Sequence, residues 1–409
     1  MNTVHSQAGG AGLHDVAMWL LREGWRYANY RKLFEEIAMR LLAQGIPLWR
    51  MGAYVPTLDP ELLGDAFVWR RAEGRAQYIT APYSLTREED YQRSPLHEIA
   101  RTKAPFRRRL SGPDALFDYP LLHELRDAGA TDYFGLPMPF ADDTPVQITF
   151  ATDSEAGFAD SDLRAFTDVA LVLGRLAESF AVRMRVERLL ATYIGRDAGK
   201  RVMAGQILRG SGDTIEAAIL FADLRDFTAL SESLPRDAIL QLLNDYFDLV
   251  GKAVTAENGE ILKFVGDGVL AIFPVTDGRA MAQAALAALR ACHAIGASFE
   301  AWNAQRESGG LMALGFGIAV HGGEVMYGNV GASGRLDFTA IGPVVNTVSR
   351  LQGLCRELGQ SIVVSRQVRD FWPAYCAPLA SRALRGMQGE TEIFALLPQA
   401  FKSSAAPGK

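Results

Sequence analysis

The sequence predicts an α+β protein with more than one domain. Three observations lead there. The chain has 409 residues, more than one hydrophobic core ordinarily serves. Short apolar runs of strand length alternate with longer helical patterns in both halves. Between the halves, from about residue 161 to residue 212, lies a heptad-like segment and then a basic, glycine-containing connection. Composition agrees with a globular class: 49% of residues are hydrophobic and 22% charged. A net charge of −5 provides no basic field, which argues against nucleic acid as a partner. Three cysteines, Cys292, Cys355 and Cys376, form neither an even set nor a C-x-x-C pair, so they indicate no disulfide framework and no zinc site. They fit a reducing cytosol. No run reaches the length of a membrane span and the amino terminus has no leader pattern, so a cytoplasmic protein without a transmembrane segment is expected.

In chain order, residues 1–15 are small and polar and are expected to be a disordered tail. Leu33, Phe34, Ile37, Leu41 and Leu42 fall at helical intervals within Tyr30 to Leu42. Strand-like runs follow at Pro47 to Val55, Ala66 to Arg71, Ala76 to Thr80, Tyr133 to Phe140 and Val146 to Ala151. His97 and His123 are the histidines of this half that could ligate a haem or metal, although a lone histidine is more often structural. Leu163, Phe166, Ala170, Leu173, Ala177, Phe180 and Met184 step by three and four, a heptad seam. Such a seam serves either a dimeric signalling helix or packing on the domain's own sheet. It is expected to end near Glu187, with Arg188 to Gly212 as the connection.

The second half begins with the apolar run Ala217 to Phe221, too short for a helix, which reads as a buried strand delivering Asp223 at its end. Ile239, Leu242, Leu243, Tyr246, Phe247, Val250 and Val254 mark an amphipathic helix of core residues after Pro235. Two apolar runs, Ile261 to Val265 and Val269 to Phe273, flank Gly266-Asp267-Gly268 and place Asp267 on a hairpin tip. An alanine-rich helix is expected over Arg279 to Gln305. Two strands separated by a turn at Gly322-Gly323 are expected within Ala313 to Gly331. Neighbouring strands would bring Asp223 and Asp267 to one sheet edge, a geometry suited to a hard divalent cation. Downstream, Asn346 and Arg350 are spaced i,i+4 and share a helix face.

The segments FADLRDFT, KFVGDGVLAIF, GIAVHGGEVMYGNVG and G-x-x-V-N-x-x-x-R, in this order between about Leu208 and Leu397, resemble the class III adenylate and guanylate cyclases. The resemblance implies a ferredoxin-like βαββαβ core over residues 213–398, followed by a short tail at 399–409. It implies two Mg²⁺ or Mn²⁺ ions per active site, held by Asp223, Asp267 and the backbone carbonyl of Leu224. Arg350 matches the position that stabilises charge on the α-phosphoryl group, Asn346 the position that holds the ribose, and Arg385 a position for the terminal phosphates. Lys263 matches the lysine that selects adenine, so ATP is the implied substrate and cyclic AMP the product. Thr339 stands where many relatives carry aspartate, as in a subgroup often responsive to bicarbonate; Asp337, on the same strand face, rivals it for the base contact. The resemblance further implies a homodimer with composite sites. A guanylate cyclase, or a degenerate cyclase domain acting as a regulatory module, are the other readings. Residues 16–160, ending in VQITFATDSEAGFADSDLRAF, resemble a GAF-type sensor domain for an unknown small-molecule or ionic ligand, with residues 161–212 as signalling helix and transducer.

Overall fold

The computed structural model describes residues 13–27, 29–56, 62–82, 92–142, 144–275, 280–386, 389–397 and 401. Residues 1–12 of the expected amino-terminal tail, and all of the 399–409 tail except residue 401, lie outside the described residues. The chain divides into two units, residues 1–189 and 190–409. Among the described residues no helix is long and apolar enough to cross a membrane.

In the first unit, strands β1 (Arg50–Pro56), β2 (Leu62–Arg70), β3 (Ala76–Pro82), β4 (Phe106–Arg109), β5 (Asp132–Met138) and β6 (Val146–Thr152) form one antiparallel sheet in the order β3-β2-β1-β6-β5-β4. Because side chains alternate along a strand, the sheet has two different faces. Met51, Ala53, Phe67, Trp69, Phe134, Leu136, Ile148 and Phe150 point to the face covered by α1 (Asp15–Glu23), α2 (Tyr30–Ala43) and α5 (Asp160–Ile194). The opposite face, including Tyr133 and Ala151, packs with Ile99 of α3 (Pro95–Thr102) and with Leu122 and Leu125 of α4 (Pro120–Asp127). Caps set the helix starts: His14 accepts from the Val16 amide, Asn29 from that of Arg31 and Ser94 from that of His97.

Helix α5 decides between the two readings of its heptad pattern. Phe166, Ala170, Leu173 and Ala177 are buried in the unit's own core, with Leu163 and Phe180 packed against it. The periodicity is therefore accounted for by the sheet beneath. The helix also continues past Glu187, which forms an i,i+4 ion pair with Arg183 at 3.0 Å on the exposed side. It stops at Ile194 because Gly195 takes φ 96, a conformation glycine adopts without strain. A further helix, α6 (Arg196–Met203), occupies part of the segment expected to be a plain connection. A second apolar stripe, Val182, Val186, Leu189 and Tyr193, remains exposed.

The second unit contains β7 (Gly212–Leu224), α7 (Phe227–Ser233), α8 (Arg236–Ala256), β8 (Glu260–Val265), β9 (Gly268–Pro274), α9 (Met281–Ser308) and β10 (Phe316–Ala332). After them come β11 (Arg335–Ile341), α10 (Pro343–Gly353), β12 (Ile362–Ser365), α11 (Arg366–Arg369), β13 (Cys376–Ala383) and β14 (Glu390–Leu396). The sheet order is β13-β14-β12-β10-β7-β9-β8, with β11 paired to β10. Within it, β7-α8-β8-β9-α9-β10 is the βαββαβ arrangement, with spatial order β10-β7-β9-β8. Ala218, Leu220 and Ala222 of β7 face α8 and α9, whereas Ala217 and Ile219 face Val344, Val348 and Leu351 of α10.

The turn expected at Gly322-Gly323 is absent. The strand runs through it, pairing Gly322 with Ala218 and Gly323 with Ala217. A side chain at Gly322 would meet the Met281 Cε at 2.3 Å, so this glycine permits close helix-on-strand packing rather than reversal of the chain.

The aromatic stack under α5 gives a direct stability test. Phe166 is fully buried, stacks on Phe150 at 3.9 Å between ring centroids and meets Phe158 edge-on at 4.9 Å. Phe166→Ala should cost the amino-terminal unit about 3–5 kcal/mol, read as a lower urea midpoint for that unit's transition. The transition of residues 190–409 should not move.

Candidate active site

The end of β7 and the β8–β9 hairpin bring two carboxylates together. Pairing between β7 and β9 runs from Ala217 with Pro274 to Ala222 with Val269, so Asp223 and Asp267 lie just beyond the last pair at the same end of the sheet. Val265 pairs with Gly268, leaving Gly266 and Asp267 as a two-residue loop. Gly266 takes φ 64 at the first loop position, where such hairpins favour glycine. The loop thus fixes where Asp267 points.

The two groups meet closely enough for a side-chain hydrogen bond. Burial raises the Asp223 carboxyl well above the usual carboxylate range, and the hydrogen bond and charge of Asp267 push it further. Tyr246 of α8 lies close to both. Its hydroxyl is buried with no hydrogen-bond partner, and burial, then the charges of Asp223 and Asp267, raise its pKa. Sequence reasoning placed Tyr246 in the core, which is correct for its ring; its spacing carries no mark of the polar tip.

Two like charges held this close oppose each other until a cation shares their oxygens. The donor set is hard, all oxygen, and Leu224 is the last residue of the same strand. No group of three or more His, Cys, Asp and Glu able to hold a metal occurs among the described residues. Two carboxylates suit a cation that keeps waters and takes its remaining oxygens from substrate phosphates, as magnesium does. The residues therefore fit a divalent ion of that class.

The other predicted residues lie in separate places. Lys263 stands opposite Leu270 in the β8–β9 register and makes no ion pair among the described residues. Thr339 of β11, opposite Gly328, is buried, and its hydroxyl has no hydrogen-bond partner; Asp337 is exposed. Asn346 is exposed and Arg350 partly so, on the side of α10 away from the buried Val344, Val348 and Leu351. The Arg350 guanidinium lies 3.6 Å from the Cβ position of Gly386, which puts it beside the turn carrying the exposed Arg385. No hydrogen bond or ion pair among the described residues joins Lys263, Asn346 or Arg350 to the carboxylate pair, so one chain presents the acidic and cationic groups unpaired with each other.

The histidines have structural contacts. His123 Nε2 lies 3.0 Å from the Phe117 carbonyl oxygen. His321 Nδ1 lies 2.9 Å from the Ser365 hydroxyl, and burial lowers the ring to about 4, which keeps it neutral. The His97 amide donates to the Ser94 cap. All three cysteines are free and buried.

Comparison with known proteins adds a family. Residues 211–395 match the family described as adenylate and guanylate cyclase catalytic domain. Adenylate cyclase 1 of Rhizobium meliloti is 30% identical over 223 residues, covering 53% of this chain and 33% of that protein. The adenylate cyclase of Anabaena cylindrica is 35% identical over 163 residues, covering 39% of this chain and 31% of that one. The chain thus spans about a third of these relatives' length. Among solved structures, the adenylyl cyclase CyaB from P. aeruginosa is 27% identical, covering 46% of this chain and 96% of that one with a TM-score of 0.43. Residues 211–395 thus match a class III adenylate and guanylate cyclase catalytic domain, and the family likeness extends over that part of the chain.

Proposed function

We propose that the protein is an adenylate cyclase, converting ATP to 3′,5′-cyclic AMP and pyrophosphate at sites shared by two copies of the chain. The observation that supports this most directly is the Asp223–Asp267 pair, two half-buried carboxylates held in hydrogen-bond range just beyond the last β7–β9 pair. With Leu224 they would hold two Mg²⁺ or Mn²⁺ ions, which would lower the pKa of the attacking ribose hydroxyl and neutralise the phosphates. Arg350 supplies a fixed cation for charge developing on the α-phosphoryl oxygens, and Asn346, one turn earlier, orients the ribose. Arg385, on the turn beside Arg350, binds the terminal phosphates. Lys263 donates to adenine N1. The buried Thr339 hydroxyl, otherwise without a partner, accepts from the 6-amino group.

The separation of the cations from the acids within one chain supports the composite reading: a twofold, head-to-tail homodimer would close two equivalent sites. The exposed stripe Val182, Val186, Leu189 and Tyr193 repeats in steps of four, three and four, a seam that a second copy's α5 would cover. Residues 16–160 act in this reading as a GAF-like sensor and residues 161–212 as its transducer, in a cytoplasmic enzyme. The free, buried cysteines agree with a reducing compartment.

Magnesium should raise the melting temperature of the residue 190–409 transition in the wild type and not in Asp223→Asn or Asp267→Asn. Binding requires both carboxylates ionised, so the metal effect should grow as pH rises through the raised Asp223 value and fade on acidification. Each variant should lose roughly a hundredfold or more of cyclic AMP production, about 2.7 kcal/mol or more of transition-state stabilisation. A folded variant that retains a tenth of the activity would refute the assignment.

Mixing tests the shared site. Asp223→Ala and Arg350→Ala proteins, each inactive, should regain activity when their subunits exchange, because the heterodimer contains one intact site. Exchange without recovery would place the whole site in one chain.

Val186→Glu with Leu189→Glu should shift the protein toward monomer in sedimentation velocity and make specific activity fall on dilution, without moving either unit's melting transition. An unchanged dimer would assign the stripe another role.

A further inference from the structure

The sheet of the first unit contains a polar cluster that its own contacts leave incomplete. Arg50 of β1 is 8% exposed, and among the described residues its guanidinium donates only to the Tyr54 hydroxyl, at 3.2 Å. No carboxylate pairs with it among the described residues; the groups acting on its charge are the hydroxyls of Tyr54 and Tyr133. Tyr133 of β5 is fully buried, and its hydroxyl lies toward that of Thr149 without a well-formed hydrogen bond. Burial raises its pKa far above the ordinary tyrosine value, so it remains a protonated donor. The Thr149 hydroxyl, 1% exposed, makes a long contact of 3.5 Å to the Gly52 carbonyl and lies toward the Tyr133 hydroxyl. Elsewhere in this unit the buried charges are paired: Asp132 with Arg107 at 2.7 Å, and Asp65 with Arg188 at 2.7 Å.

Strand register brings these groups together. Arg50 pairs with Ala151, which pairs with Tyr133, so Arg50 and Tyr133 share one row across the sheet. The next row is Val68, Gly52, Thr149 and Gly135, and directly paired residues point to the same face. Glycines at two of its four positions give this row a low floor. A Cβ on Gly52 would lie 2.8 Å from the Thr149 hydroxyl and 3.2 Å from that of Tyr54, while one on Gly135 would lie 2.4 Å from Ile99 Cδ1. Gly52 is thus covered by the Thr149 and Tyr54 side chains, which brings their hydroxyls together over the strand, and Gly135 is covered by Ile99 of α3. Beyond it, Gln147 pairs with Tyr54, and Gln147, Pro137 and Ile99 line a cavity of about 380 Å³ that is otherwise mostly apolar, with Leu136, Met138 and Phe140.

A buried guanidinium without a counter-charge is costly, and so is a buried hydroxyl with no acceptor. A single anion would supply both. We propose that Arg50, Tyr133, Tyr54 and Thr149 bind the carboxylate of a small monocarboxylate whose apolar body occupies the neighbouring cavity. The planar guanidinium fork matches the two carboxylate oxygens, and the hydroxyls donate to them from the sheet. Among the described residues no acidic group acts on the arginine.

The test uses full-length protein, with ligand-observed saturation-transfer NMR and titration of sodium butyrate, sodium acetate, neutral butyramide and sodium phosphate, all against sodium chloride at equal ionic strength. Butyrate should bind more tightly than acetate, and butyramide and phosphate should not bind. Arg50→Met, which keeps the side-chain length and removes the charge, should weaken butyrate binding at least about tenfold. Tyr133→Phe removes a hydroxyl that makes no well-formed hydrogen bond within the free protein. It should leave the melting temperature unchanged or higher yet weaken butyrate severalfold, a split that a merely structural tyrosine would not give. Equal butyrate binding by both folded variants, no binding by either carboxylate, or preference for phosphate would overturn the proposal. Equal binding of acetate and butyrate would overturn the part assigned to the cavity. Because binding is read without turnover, the result is independent of cyclase activity.

Discussion

The second unit is arranged around the unfavourable closeness of two carboxylates. Left to themselves, Asp223 and Asp267 would separate, and burial only increases the cost of ionising them side by side. Backbone pairing prevents the separation: β7 is anchored between β9 and β10, and a two-residue loop leaves Asp267 no slack. The restraint is rigid because Ala218, Leu220, Ala222 and Ala271 are buried against α8 and α9, where small side chains allow the helices to approach closely. Such an arrangement holds the two carboxylates in place by backbone pairing and packing.

Much of this was legible in the sequence because the relevant constraints are local. A five-residue apolar run ending before Asp223, and two such runs around Gly266-Asp267-Gly268, contain the information needed to place each aspartate at a strand end. Asn346 and Arg350 share a helix face by spacing alone, and α10 presents them away from its buried Val344, Val348 and Leu351. Failures occurred where one local pattern served two structures. Gly322-Gly323 reads as a turn, but a glycine pair also suits a strand crossed closely by a helix, and only Met281, forty residues earlier in the chain and unseen by any local window, decides between them. The α5 heptad was ambiguous in the same way: steps of three and four describe a helix on a sheet as well as a helix on a helix.

Tyr246 and Arg50 show a deeper limit. Tyr246 occupies a core position in an amphipathic helix, and its hydroxyl gains meaning only from two aspartates on other elements. Arg50 pairs across three strands with residues about eighty to one hundred positions away, so no spacing rule could associate it with Tyr133 and Thr149. Hydrophobic patterning identifies which side chains are inside. It does not identify which buried polar atoms lack a partner, because that depends on the complete set of neighbours.

The two units treat buried charge in opposite ways that share one logic. In the second unit, like charges are held together; in the first unit, a cation is enclosed with neutral donors. Neither arrangement stabilises the fold as it stands, since a hydrophobic replacement of similar volume at either place would remove a desolvation cost. Ordinary buried ion pairs such as Asp132 with Arg107 show that the chain can satisfy a buried charge when structure is the only demand. Incomplete clusters on a well-packed sheet are therefore best understood as sites whose missing partner comes from solution. A ligand that completes one of them stabilises only the conformation in which the cluster is assembled, and that differential affinity is what any control of turnover by the first unit must draw on.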